Sequence, residues 1–494
     1  MSDQAAGFQA YSEQEAIRRA KLQELSEQGK SPWLVTHYPV NAISAAIKER
    51  FEALDGQDVA IAGRMTSRRI MGKASFAHLL DSAGVIQCYI KRDDIGLEAY
   101  QAFKAYDLGD ILGIKGKVFK TQTGEISIHA KEMTLLAKCL KPLPEKWHGL
   151  KDVDLRYRRR YVDLIVNPEV REIFIRRSKI ISSIRRFLDQ EGFLEVETPI
   201  LQPIPGGGNA KPFVTHHNTL DMDLYLRIAV ELYLKKLIVG GLEKVYESGK
   251  NFRNEGISYK HSPEFTMLEL YQVNADYMDM MTMAETIISN AAQEALGTLK
   301  INYQGNEIDL TPPWERMTMV DAVKKYTGLD FSAYKEDAEA RQAVKGIGLK
   351  VADNASRGDI INFVFEEKVE GELIQPTFIY DYPIEISPLA ARHRDDANFT
   401  YRFEGFIAGM EVANAFTELN DPIDQRERFE KQMALRAAGD DEAQRLDEDF
   451  LMALEYGMPP TGGLGIGIDR IVMLITGMRS IREIILFPPM RPQE

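Results

Sequence analysis

The pattern of hydrophobic and polar positions changes near Val59. Before it, residues 12–30 and 41–54 carry apolar side chains at loose helical spacing, and Gly29 is a stop signal for the first helix. After it come five short β-branched and aromatic runs, which are VAIAGRM, ASFAHLLD, VIQCYIK, ILGIKGKVFK and EISIHAKEMTLL. Five short strands separated by Gly and Asp predict a small closed or partly open β-barrel.

Beyond the barrel, helical and strand patterns mix without a regular βα alternation. The proline-containing segment KPLPEKWHG (141–149) predicts a linker, and residues 168–191 predict a helix. GFLEVETPILQP predicts a strand that is entered through Gly192 and closed by Pro199. The mixture favours an α+β domain with an antiparallel sheet flanked by helices over a doubly wound fold. We therefore predict a helical segment at 1–56, the barrel at 57–145 and the α+β domain at 146–494.

Net charge, cysteine content and the length of apolar runs exclude several classes of protein. The 494 residues carry a net charge of −13, which argues against a generic nucleic-acid coat because phosphate binding needs positive charge. Cys88 and Cys139 are too few for a disulfide framework or a four-thiolate zinc site. No apolar run is long enough to span a bilayer, and the polar opening Met1–Gln14 shows no secretion signal. We expect a cytoplasmic protein that does not contact membranes.

The first block with candidate chemistry is VYESGKNFRNEGISYKHSPEFTMLELY, residues 245–271. It predicts two strands joined by a polar loop from Gly256 to Pro263. Because side chains alternate along strands, one face would collect Asn251, Arg253, Glu255, Phe265, Met267, Glu269 and Tyr271. An enzyme that binds a phosphorylated purine and a cationic group could use this set. The alternative is an exposed sheet face laced with salt bridges.

The second block is RFEGFIAGMEVANAFTELND, residues 402–421, which predicts a hairpin that turns near Ala408 and Gly409. Glu404 and Glu411 would face each other across the two strands, and paired carboxylates of this kind suit Mg²⁺ bound together with substrate phosphates. Asn414, Phe416 and Glu418 follow at period two. Since Glu411 has the opposite parity, a bulge near Ala413 is needed if both sets serve one site.

The third block is TGGLGIGIDRIVML, residues 461–474. Its glycines predict a strand over which a flat ligand could approach the backbone, followed by a helix with Arg470 in its first turn. No GxxxxGK[ST], GxGxxG or GxSxG motif accompanies it, and Gly206–Gly208 alone reads as a flexible loop.

In this order, the blocks resemble the class II aminoacyl-tRNA synthetases, and within them the bacterial-type lysyl enzymes. GFLEVETP resembles motif 1, FRNEG with HSPEFTMLE resembles motif 2, and GLGIGIDR resembles motif 3. GRMTSRRIMGKASF, KPFVTHHN, LRIAVELYLKKLIVGG and NAFTELND resemble the lysyl subgroup, and the likeness spans residues 57–490. Ser248 and Lys250 depart mildly from related sequences, which often carry an aliphatic residue and arginine there.

The resemblance implies an N-terminal OB-fold that binds the anticodon and a class II catalytic domain. The implied reaction activates lysine with ATP to lysyl-adenylate and transfers lysine to the 3′ end of tRNA(Lys), releasing AMP and pyrophosphate. It also implies a homodimer, with motif 1 (Phe193–Pro199) at the two-fold interface.

The resemblance also assigns roles at the nucleotide. Arg253 would clamp the α-phosphate and Arg470 would lie over the adenine; these two are the implied catalytic residues. Phe265 would lie under the adenine, and Glu255 and His261 would contact the nucleotide. The implied Mg²⁺ ligands are Glu404 and Glu411.

For lysine, Glu418 would bind the ε-ammonium between walls formed by Tyr271 and Phe416. Glu231 and Glu269 would take the α-amino group or share the ε-ammonium. The remaining implied contacts to lysine come from Gly207 and Asn414.

In the barrel, Phe76 would stack on an anticodon base, and uridine edges would be read by Arg69, Gln87 and Glu125. The alternative for Phe76 is a core phenylalanine. Three other functions remain open. They are the same fold charging aspartate or asparagine, an RNA-binding protein with a degenerate synthetase domain, and a paralogue that ligates lysine to a protein.

Overall fold

The computed structural model describes residues 11–144, 150–437, 439 and 445–493. The chain divides into two compact units, Met1–Lys151 and Asp152–Glu494. Residues 1–10 of the predicted N-terminal segment and residues 145–149 of the predicted linker lie outside the described residues. No helix in the described ranges has the length and apolar character needed to cross a membrane.

The first unit is built around a barrel. Its elements are α1 (Glu13–Glu27), α2 (Ser44–Glu49), α3 (Phe51–Leu54), β1 (Asp58–Met71), β2 (Ala74–Leu80), β3 (Val85–Lys91), α4 (Arg92–Ile95), α5 (Leu97–Ala105), β4 (Ile111–Lys120) and β5 (Ile126–Ala137). The strands close in the order β1-β2-β3-β5-β4, which confirms the predicted barrel. Residues 41–54, predicted as one helix, form the two short helices α2 and α3, and Ile47 of α2 packs into the barrel core.

Alternation along the barrel strands separates a core face from an outer face. Ala77, Leu79 and Cys88 point inward and are fully buried. Phe76 and Tyr89 have the opposite parity and are half-buried. The barrel interior is therefore filled, and the alternative reading of Phe76 as a core residue is wrong.

The helices of the second unit are α6 (Val153–Arg158), α7 (Arg160–Val166), α8 (Pro168–Gln190), α9 (Glu231–Val239), α10 (Tyr277–Leu296), α11 (Met319–Thr327), α12 (Asp337–Gly346), α13 (Arg357–Lys368), α14 (Pro422–Ala437), α15 (Glu448–Glu455), α16 (Ile468–Thr476) and α17 (Ile481–Ile484). The helix predicted at 168–191 is α8, which begins with proline at its first position, where the missing N–H costs nothing.

The strands of this unit are β6 (Leu194–Glu195), β7 (Leu201–Gln202), β8 (Val214–His217), β9 (Met222–Leu226), β10 (Lys244–Phe252), β11 (Glu264–Val273), β12 (Lys300–Tyr303), β13 (Asn306–Asp309), β14 (Glu315–Thr318), β15 (Thr377–Pro383), β16 (Phe399–Ile407), β17 (Met410–Thr417) and β18 (Thr461–Gly467). Eight of them form one sheet in the order β14-β15-β16-β17-β18-β11-β10-β6. Its neighbours are antiparallel except for β14 with β15 and β10 with β6. The predicted α+β class is confirmed.

The two faces of this sheet are chemically different. Leu268, Leu270 and Phe403 point toward a core that includes residues of α8, α10 and α16. The alternate residues of β11, such as Met267 and Glu269, line a cavity on the opposite face.

Two predicted strands are shorter than expected. The GFLEVETP segment contributes only Leu194–Glu195, which pair in parallel with Val245 and Tyr246. The strand expected to carry Arg253 and Glu255 ends at Phe252. The N–H of Arg253 still donates to the carbonyl of Pro263 at 2.9 Å, but proline has no N–H to extend the ladder.

Candidate active site

A single cavity collects the predicted nucleotide, metal and amino-acid ligands. Its volume is about 380 Å³, within the usual range for small-molecule sites. Every residue predicted for these roles lines it: Gly207, Glu231, Arg253, Glu255, His261, Phe265, Glu269, Tyr271, Glu404, Glu411, Asn414, Phe416, Glu418 and Arg470. Loops, three strands of the sheet and the first turns of α9 and α16 supply them.

One end of the cavity, the acidic end, is formed by Glu231, Glu269 and Glu418. Their exposed fractions are 6%, 5% and 2%. Burial, with added repulsion from Glu231, raises the pKa of Glu269 to about 7. Burial also raises the pKa of Glu418 to about 8, against the opposing effect of Lys235. The raised pKa values mean that nearby positive charge does not compensate for the burial of these carboxylates. A cationic ligand would therefore stabilise their ionised form.

Lys235 is a functional candidate that the sequence reasoning missed. Its ammonium is completely buried, lies 2.6 Å from Glu231 Oε1 and is also paired with Glu418 Oε2. The spacing of four residues between Glu231 and Lys235 was the available signal, because side chains at that spacing are neighbours on a helix surface. The contact with Glu418 is a tertiary one that spacing does not reveal.

The glycines at the acidic end are needed for space. A Cβ on Gly463 would lie 2.0 Å from Glu418 Oε1 and 2.5 Å from Cε1 of Tyr271. Gly207 has a φ of +81°, and a Cβ there would lie 3.0 Å from the Cβ of Glu231. Gly463 therefore faces the side chains of the acidic end, so a flat ligand does not account for that glycine.

Several polar atoms at this end have no partner within the described residues. Asn414 Oδ1 and Glu418 Oε1 are buried and accept no hydrogen bond there. Tyr271 donates to Glu269 Oε2 at 3.3 Å, and burial beside three carboxylates raises the pKa of this phenol, so it remains neutral. Buried polar atoms without partners are costly, which indicates a polar ligand at this place.

The opposite part of the cavity carries Arg253, Phe265, His261 and Arg470. The guanidinium of Arg253 lies 5.2 Å from the ring centre of Phe265, and its Nε is buried without a partner among the described residues. Arg470 donates to the Glu411 carbonyl at 2.6 Å and to Glu411 Oε2 at 3.0 Å. Burial and the charge of Arg470 lower the pKa of His261, so its imidazole is neutral near pH 7.

Glu404 and Glu411 lie on the hairpin of β16 and β17, whose turn at Ala408 and Gly409 has positive φ at both residues, as in a type I′ turn. The turn is where the sequence predicts it. The expected cross-strand pairing of the two carboxylates is wrong, because Glu404 faces Asn414 and Glu411 faces Phe406. The register shift leaves Val412 as an extra residue, which confirms the predicted bulge beside Ala413.

The two carboxylates nevertheless interact through space. Burial and the nearby charge of Glu411 raise the pKa of Glu404 to about 7. Glu404 accepts hydrogen bonds from Arg402 at 2.6 Å and from Tyr382 at 3.0 Å. The carboxylates of Glu404 and Glu411 are oxygen donors of the kind that a divalent cation binds, and no group of three or more metal-ligand side chains occurs among the described residues. Arg402 was missed, although its parity with Glu404 places both on one face.

In the barrel unit, the predicted anticodon residues lie on one outer surface. Arg69 pairs in register with Phe76, and Gln87 accepts a hydrogen bond from Ser127 at 2.9 Å. Glu125 lies 3.9 Å from His78. Phe76 belongs to a group of rings that the sequence reasoning did not collect: Phe76, Tyr89, Phe119 and His129, with centroids 5.1 to 6.2 Å apart.

The structure thus combines a closed five-stranded barrel with a mainly antiparallel sheet whose cavity has an acidic end and an arginine-containing part. The profile described as tRNA synthetases class II (D, K and N) matches residues 152–491, and that of the OB-fold nucleic acid binding domain matches residues 59–136. The chain belongs to the class II tRNA synthetases.

Within this family, the chain is most informatively compared with curated lysine--tRNA ligases. The chain is 61% identical to the lysine--tRNA ligase of Moorella thermoacetica, over 97% of this chain and 98% of that protein. It is 59% identical to that of Syntrophomonas wolfei over 98% of both chains, and 60% identical to that of Pelotomaculum thermopropionicum over 97% of this chain and 95% of the relative. These matches confirm the predicted resemblance to lysyl enzymes.

Proposed function

We propose that this chain activates lysine with ATP and transfers it to tRNA(Lys). The observation that carries the proposal is the acidic end, where three buried carboxylates surround a space that contains unpartnered polar atoms. A ligand with two ammonium groups satisfies that space. Aspartate would bring a fourth carboxylate into it, and asparagine would bring no second positive charge, so both are disfavoured.

In the first step, the carboxylate of lysine attacks the α-phosphorus of ATP, the bond to pyrophosphate breaks, and lysyl-adenylate forms. Arg253, with its partnerless Nε, would donate to the α-phosphate as charge develops there. Phe265 would support the adenine from below and Arg470 from above. No side chain needs to form a covalent intermediate, because the reacting groups are the two substrates.

Glu404 and Glu411 would hold Mg²⁺, which when bound neutralises phosphate charge and favours departure of pyrophosphate. Their contribution is positional, since Arg402 and Tyr382 fix the carboxylate of Glu404 and Arg470 fixes that of Glu411. In the second step, a hydroxyl of the 3′-terminal ribose of tRNA attacks the lysyl carbonyl and AMP leaves.

The partners of the chain follow from the same reasoning. The outer surface of the barrel with Phe76, Arg69, Gln87 and Glu125 would bind the anticodon, since bases stack on aromatic rings of such barrels. A homodimer would use the motif 1 region, where Leu194 of the edge strand β6 and the following residues Ile200 and Leu201 are exposed and apolar. We expect the enzyme to act in the cytoplasm.

The deciding experiment is amino-acid-dependent exchange of pyrophosphate into ATP, run with each common amino acid in turn. We expect rapid exchange with lysine alone. Rapid exchange with aspartate and none with lysine would reverse the assignment.

A further inference from the structure

Within the described residues, Lys235 is the one cation that directly contacts the carboxylates of the acidic end. Its side chain is nevertheless not among those that line the cavity. It lies behind Glu231 and Glu418, on helix α9, and binds one oxygen of each. Glu418 Oε1 stays without a partner in that region. Lys235 therefore binds one oxygen of each carboxylate, and the second oxygen of each remains available to a ligand.

We propose that Lys235 sets the charge of the amino-acid pocket, so that its three carboxylates present two net negative charges to a ligand with two ammonium groups. The proposal rests on the function proposed above and makes Lys235 a positioning and specificity residue that does not touch the substrate.

The charges around Lys235 come from several elements. Facing it or its partners are Glu231 on α9, Glu269 and Tyr271 on β11, Glu418 after β17, Arg253 in the loop after β10, and the ring of Phe450 on α15 at 6.0 Å. Burial holds the phenol of Tyr271 neutral. When a ligand with two ammonium groups draws all three carboxyls into their ionised form, three carboxylates and one ammonium leave two negative charges, while Arg253 lies beside Phe265 at the proposed phosphate position.

Without Lys235, the same pocket would hold three buried carboxylates with no internal counter-charge. Like charges at such distances oppose ionisation, and Lys235 is the group that lowers the pKa of Glu418, so without Lys235 the carboxyls would keep their protons to a higher pH than in the wild type. A protonated carboxyl cannot pair with a ligand ammonium. Lysine would then bind only as the pH rises far enough to remove that proton.

The test is the variant Lys235→Met in lysine-dependent pyrophosphate exchange between about pH 6 and about pH 9.5, without tRNA. We expect the pH midpoint of kcat/KM for lysine to move up by about one unit or more, so that KM for lysine at neutral pH rises roughly tenfold. KM for ATP and kcat at saturating lysine should change by less than about threefold. Lys235→Arg, which keeps the charge, should retain the wild-type midpoint.

Lys236→Met is the matched control. Lys236 is the next residue on α9, but its ammonium lies 2.6 Å from Asp449, outside the cavity. The same substitution there should leave both the midpoint and KM for lysine unchanged. An unchanged midpoint in Lys235→Met, with only a lower melting temperature, would overturn the proposal and leave Lys235 as a structural tie between α9 and Glu418.

A measurement on the unaltered enzyme covers the case in which Lys235 variants do not fold. Calorimetric titrations in two buffers of different ionisation enthalpy count protons exchanged on binding L-lysine and L-norleucine, which lacks the ε-ammonium. We expect norleucine to leave about one more proton on the pocket than lysine does. Equal counts would refute charge matching. Failure of the proposed function would show separately, as absence of lysine-dependent exchange in the wild-type enzyme.

Discussion

Replacing Glu418 with glutamine tests whether Glu418 binds the ε-ammonium of lysine. Glu418 has 2% of its surface exposed, and its Oε1 has no hydrogen-bond partner in the described part of the chain. Glutamine keeps the shape of the side chain and one acceptor oxygen, but it replaces the other oxygen with an NH2 donor and removes the charge. The substitution therefore removes the counter-charge and one of the two acceptors that a buried ammonium could meet.

The expected loss follows from the burial. Removing one partner of a buried charge pair costs about 2–5 kcal/mol. That corresponds to a fall of roughly 30- to 5,000-fold in kcat/KM for lysine. Lys235 remains charged behind the substituted residue, and its repulsion of a ligand ammonium places the expected fall in the upper part of this range.

The assay is lysine-dependent pyrophosphate exchange, with KM for ATP measured alongside. Glu430→Gln on α14 is the matched control, because Glu430 is exposed and does not line the cavity. If kcat/KM for lysine in Glu418→Gln stays within about threefold of wild type, Glu418 does not read the side chain and this reasoning fails.

Three further predictions separate the parts of the molecule. Arg253→Ala should abolish both exchange and tRNA charging, because the adenylate precedes transfer; charging without exchange would contradict this. Phe76→Ala should lower kcat/KM for charging by roughly 5- to 150-fold and leave exchange unchanged, since base stacking is worth about 1–3 kcal/mol; an equal fall in both would make the ring a packing residue. The pKa values of Glu269 and Glu418 are raised to about 7 and about 8 in the folded protein, so their protonated forms stabilise the fold at low pH. This contribution to the free energy of unfolding is lost as pH rises through those values. The rise in melting temperature caused by lysine should therefore be larger near pH 8.5 than near pH 6, and a smaller rise would contradict the assignment.

The features that were predictable from the sequence depend on local alternation. The barrel strands follow from short β-branched runs, and the cavity face of β11 follows from the period of Phe265, Met267, Glu269 and Tyr271. The bulge at Val412 was also predictable, because Glu411 and Asn414 cannot otherwise point to one side of the same strand.

Other features depend on partners distant in sequence. The short strand at Leu194 exists only through its parallel pairing with Val245, which residues 192–199 alone do not reveal. The strand before Arg253 ends early because its opposite residue is Pro263, which has no N–H. The pairing of Lys235 with Glu418 joins a helix to a strand end, so no spacing rule indicates it.

The bulge in β17 explains how one strand serves both ends of the site. Glu411 is the second residue of the strand and Glu418 follows its end, and a rise of about 3.3 Å per residue separates their backbones by roughly 20 Å. Lysine joined through its carboxylate to a triphosphate spans a comparable length once the reach of both side chains is included. If residues 411–418 formed a regular strand without the bulge at Val412, Glu411 would point to the opposite face of the sheet while Asn414, Phe416 and Glu418 still lined the cavity. The bulge therefore places the proposed metal-binding carboxylate Glu411 and the proposed lysine-binding carboxylate Glu418 on one face of a single strand, which would position the attacking carboxylate and the departing pyrophosphate relative to each other.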